Sequence, residues 1–169
     1  MTDRPQPGDR DAGAGIDDES PAARAARNFI ELLQGFRVAV TGVQVLFAFL
    51  LTVPFAPGFA KVTGTDRWLF YVALVGAALA SMFFIAPVAQ HRILFRQGRK
   101  ETLVKRSNLY GLIGTVALAV SITAAISMVV DYLFNSALAA GTAAGAALLA
   151  AWLWFVEPAL DRRSSGKDP

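Results

Sequence analysis

Four long stretches without a charged side chain decide what this chain can fold into. Residues 38–55 are interrupted only by Thr41, Gly42, Gln44, Thr52 and Pro54; residues 68–88, 109–130 and 137–156 follow the same apolar habit. Each has roughly the 20 residues that a helix rising 1.5 Å per residue needs to cross a hydrocarbon core about 30 Å thick, the first being the shortest. Ala, Leu and Gly fill these runs continuously, without the polar alternation of a barrel strand, so helices are expected. With 54% hydrophobic and 17% charged residues, the composition is too apolar for a soluble domain of 169 residues.

The expected fold is therefore all-α: a polytopic membrane protein with four transmembrane helices, an N-terminal amphipathic helix and a disordered N-terminal tail. Residues 1–20 are rich in Pro, Gly and Asp, with too little apolar surface to offset chain entropy. Residues 21–160 form the membrane domain, and 161–169 a short second tail. Ser20 before Pro21 reads as a helix start, and Phe29, Leu32 or Leu33, Phe36 and Val40 recur at helical spacing toward the first span, with Gly35 able to bend the junction. The first run begins too late for a cleaved secretory signal. Pro87 is expected to limit the second span and Gly98 to stop a helix in the connection that follows.

Cationic residues set the orientation. Of 16 Lys and Arg, five precede the first span, six lie between the second and third and three follow the fourth, while only Lys61 and Arg67 fall on the other side. Fourteen against two is a strong positive-inside bias, which puts both termini and the middle loop in the cytoplasm and the protein in the cell (inner) membrane. Trp68 and Tyr71 at one boundary and Trp152 and Trp154 at the other suit two aromatic belts. The basic face suits anionic lipid headgroups as well as topology, each cation near the surface contributing about 1 kcal/mol.

Chemistry-bearing residues are few. The single His and the absence of Cys leave no ordinary zinc or haem pair, and no phosphate-binding glycine loop, nucleophile elbow or two-metal acid cluster is present, so neither enzyme activity nor a cofactor is expected. Basic residues without interleaved aromatics make no nucleic-acid interface. At the inner boundary Arg37, His91, Arg92 and Glu157 form a candidate polar cluster in which Glu157 pairs with a cation and His91 closes helix ends by hydrogen bonding. Thr41, Gln44 and Thr52, with Ala48, form a stripe on span one, expected to face the bundle, where an interhelical hydrogen bond is worth about 0.6 kcal/mol. Gly141 and Gly145 make a G-x-x-x-G on span four, and Gly111, Thr115, Ala119, Thr123 and Ser127 run four apart on span three. Packing of spans three and four within one chain is the expected use of these rows, ahead of a homo-oligomer or a membrane-protein partner; the drift of a four-residue row calls for two crossings.

Two segments resemble a known family. "FRVAVTGVQVLFAFLLTVPF" (residues 36–55) and "IAPVAQHRILFR" (residues 85–96) are similar to the two motifs of an uncharacterised actinobacterial family of integral membrane proteins of unknown function. The likeness is strong over residues 31–96 and weak in the later spans. The family pattern carries a second Gln where Val40 stands here, a departure that weakens paired-amide solute binding on span one. The resemblance implies no established activity; sodium:proton antiport, sometimes attached to relatives, lacks the mid-membrane acid it needs here.

The functional expectation is a non-enzymatic structural or interaction module with a basic cytoplasmic face. The alternative is a small cation- or proton-coupled transporter or channel using Gln44, His91 and Glu157.

Overall fold

The computed structural model describes residues 21–94 and 100–164. The expectations of a disordered tail over residues 1–20, a Ser20 cap and a Gly98 stop fall outside those residues. Within them the regular structure is entirely helical. Four stretches are long and apolar enough to cross a membrane, Leu33–Phe55, Gly64–Gln90, Arg106–Leu133 and Ser136–Asp161, so the chain is an all-α, multi-pass membrane protein.

Helix α1 runs unbroken over Pro21–Thr52. The amphipathic segment and the first span are thus one rod of about 48 Å, longer than the hydrocarbon core, so its first turns project from the bilayer. Proline is tolerated as its first residue because that N–H would have no helical acceptor. Phe36, Val43 and Leu50, seven apart and all buried, make the seam by which α1 leans on its neighbours. Phe36 and Val43 meet Ala80 and Phe84, with the Phe36 and Phe84 rings 5.9 Å apart, while Leu50 meets Ala73, Ala77 and Ala124.

Two short 3-10 turns, Val53–Phe55 and Phe59–Lys61, lead into α2, Gly64–Leu94. Its start is a reciprocal cap: the Thr63 amide and hydroxyl donate to Asp66 Oδ2 at 3.1 and 2.9 Å, and the Asp66 amide donates to Thr63 Oγ1 at 3.1 Å. Two otherwise orphaned backbone donors are satisfied this way. Pro87 does not end the second helix, contrary to the sequence expectation. It is fully buried and α2 continues to Leu94, because packing around a proline can hold a helix that the missing N–H alone would break.

Helix α3, Lys100–Leu133, runs antiparallel to α2 and forms the closest pair in the bundle. Small residues cause this. Ala73, Ala77 and Ala80 are wholly buried on α2, and a Cβ on Gly76 would stand 3.0 Å from both the Ala117 carbonyl oxygen and Ser121 Cβ. At that seam the buried Ser121 hydroxyl donates to the Ala73 carbonyl at 2.6 Å, a direct bond between helices.

Asn135 caps α4, Ser136–Ala151, by accepting from the Leu138 amide at 2.9 Å. A π turn over Trp152–Val156 then passes into α5, Glu157–Ser164, which takes up the start of the expected second tail. The wider turn suits Pro158, which offers no N–H to the carbonyl four residues back. Helix α4 packs on α3 and touches neither α1 nor α2 across the backbone, so the bundle is a three-helix core with a fourth rod at its edge.

Candidate functional site

On α1 the stripe of Thr41, Gln44, Ala48 and Thr52 is exposed throughout. Counted at 100° per residue from the Phe36–Val43–Leu50 seam, Gln44 lies about 100° round the helix, and the other three about 140 to 180°. The stripe therefore faces away from the bundle, contrary to expectation, because the apolar heptad has already taken the inner face. Thr41 donates to the Arg37 carbonyl at 3.0 Å and Thr52 to the Phe49 carbonyl at 2.7 Å, so both hydroxyls are satisfied within the helix. Gln44 has no such outlet and makes no hydrogen bond among the described residues. It stands at the midpoint of Leu33–Phe55, about 16 Å from either end, beyond the reach of its side chain.

At the end of the bundle where α1 begins and α2 finishes, Arg37, Arg92 and Glu157 are all exposed. Among the described residues no ion pair joins them, and the reason is architectural: Glu157 belongs to the rod that α1 does not touch. His91 sits in the last turn of α2, with its side chain outside the described residues. No group of three or more acids and histidines among the described residues could hold a metal ion.

The rows of small residues divide. Gly111 meets α1, where an added Cβ would stand 2.9 Å from the Phe36 ring, and Thr115 donates to the Gly111 carbonyl at 2.9 Å. Further along α3, Ala119, Thr123 and Ser127 line a cleft of about 340 Å³ whose other wall is Ala143, Ala147 and Ala150 of α4. One row thus serves two crossings. Gly141 and Gly145 join neither: they are exposed, with nothing within 4 Å of where a Cβ would be. Alanines form the inner face of α4, so its G-x-x-x-G points outward and does not pack α3 on α4 as expected.

Three features escaped the sequence reading. Gly76 on α2 and Gly114 on α3 are tight positions, a Cβ on Gly114 standing only 2.8 Å from the Phe84 ring, closer than a side chain can sit. The signal was present in Ala73, Gly76, Ala77 and Ala80, hidden when Ala counts only as apolar. Gln90 Nε2 donates to the Tyr110 hydroxyl at 3.2 Å, tying α2 to α3 toward the basic end. Near it Gln90 Oε1 and the wholly buried Ser107 hydroxyl have no hydrogen-bond partner among the described residues, nor does Asp66 Oδ1 at the opposite end.

The model of a family of unknown function, DUF6328, matches residues 18–158. No curated protein matches the chain. No solved structure matches it either.

Proposed function

The chain belongs to the family of unknown function DUF6328, and from its geometry we propose that it is a non-enzymatic module of the inner membrane that works by packing against other membrane helices. The observation that carries this reading is the outward aim of its association-prone residues: Gln44 and its stripe on one rod, Gly141 and Gly145 on another. Membrane helices associate through close backbone approach and interhelical hydrogen bonds, which small residues and amides supply. The described part of the three-helix core, by contrast, is closed by Ala–Gly–Phe contacts and offers no titratable group at mid-depth.

Both termini lie in the cytoplasm in this reading, since the fourteen cations cluster at one end. That basic face lies against anionic headgroups in this reading, and the motif resemblance supports an actinobacterial cell membrane as its setting. Against the transporter alternative stands the separation of Gln44 from Glu157, whose helices make no backbone contact among the described residues. Extraction of native membranes into polymer-bounded discs, followed by native mass spectrometry, tests the proposal. A defined complex containing more than one polypeptide is expected; a uniformly monomeric protein contradicts it.

A further inference from the structure

The outward face of α1 is a second seam at heptad spacing: Thr41, Gln44, Ala48 and Leu51 fall at intervals of three and four residues, Phe55 follows four residues on in the 3-10 turn, and all are exposed. The first seam, through Phe36, Val43 and Leu50, is used inside the chain. A helix with two such seams can hold one neighbour on each. The second seam contains one group that cannot stay as it is. Gln44 is an uncharged amide at the middle of a span, without a hydrogen-bond partner among the described residues and too far from either boundary to reach water.

We infer that the partner of this seam is α1 of a second copy, related by a two-fold axis along the membrane normal, with Gln44 bonded to Gln44 of the partner subunit. Copies insert with the same topology, so their α1 helices are parallel and Gln44 finds its twin at the same depth. An amide carries both a donor and an acceptor, so it is complementary to itself. Ala48 and Thr41 flank it with little bulk, and their size lets the helices approach. A lone polar residue in an apolar seam also fixes register, since any slip leaves two amides unpaired in hydrocarbon. Arg37, one turn before Thr41, bounds the contact, because two guanidinium groups repel and turn to the headgroups. The inference rests on the packing-module reading and names its partner.

The chain has no cysteine, so single cysteines report contacts cleanly. Ala48→Cys, oxidised in the membranes of expressing cells, should give a disulfide-linked dimer. Gly42→Cys, exposed about 160° round the helix from Gln44, should not. Adding Gln44→Leu to Ala48→Cys should lower the dimer yield about three- to thirty-fold, the range for polar contacts between membrane helices, and Gln44→Asn should restore much of it. Gln44→Leu should leave the helix content of the purified chain, read by circular dichroism, unchanged, which separates a lost contact from a lost fold. Equal dimer from Gly42→Cys and Ala48→Cys, no dimer at all, or a yield indifferent to Gln44→Leu would overturn the inference. An adduct of Ala48→Cys with a different membrane protein would overturn the second-copy assignment while leaving the packing module intact.

Discussion

The Ser121 hydroxyl reaches the Ala73 carbonyl at 2.6 Å across the α2–α3 seam, and Gly76, one turn along from Ala73, presses its bare backbone against Ser121. The two features depend on each other. The bond forms because Gly76 admits α3 so closely, and α3 stays close because the bond needs no water. Ser121→Ala should therefore lower stability by about 1 kcal/mol, the order of interhelical bonds in membranes. Gly76→Ala should cost more, since its methyl meets backbone as well as side chain. Thermal unfolding in detergent reads both, and a silent Gly76→Ala would show that the seam yields.

The opposite outcome is expected on α4. Gly141→Leu and Gly145→Leu add bulk where nothing lies within 4 Å, and each replaces a poor helix former. Unfolding of the isolated chain should be unchanged or raised by up to about 1 kcal/mol. A large loss at either position would mean that the G-x-x-x-G packs within the chain after all.

This contrast marks how far the sequence was legible. The four spans were readable because length and charge exclusion are one-dimensional properties, and each helix ended within a few residues of its run except where Pro87 was carried through by packing. The faces were not. Gln44 was expected inside because a membrane amide needs a partner, yet facing is decided by which seam is the more apolar, and the Phe36–Val43–Leu50 heptad prevails. Gly141 and Gly145 matched a packing motif, but spacing cannot say which neighbour is present. Gly76 lacked the motif and does the packing. Arg37, Arg92 and Glu157 were grouped by depth alone, and depth does not report that α1 and α4 lie apart.

Topology gives a third prediction. Cysteines placed singly at Gly64 and Ser136, the exposed first residues of α2 and α4 opposite the basic end, should react with a membrane-impermeant thiol reagent in intact cells. Cysteines at Arg24 and Arg92 should react only after lysis. The reverse pattern would invert the assignment drawn from charge.

In the function proposed above, this chain packs against other helices and moves no ions. That function is tested most directly by purified protein in liposomes that enclose a pH-sensitive dye, under imposed proton and sodium gradients. Dye traces should match protein-free liposomes, for the wild type and for Gln44→Leu and Glu157→Gln alike. A protein-dependent flux that Gln44→Leu or Glu157→Gln abolishes, with folding intact, would contradict the account and restore the transporter.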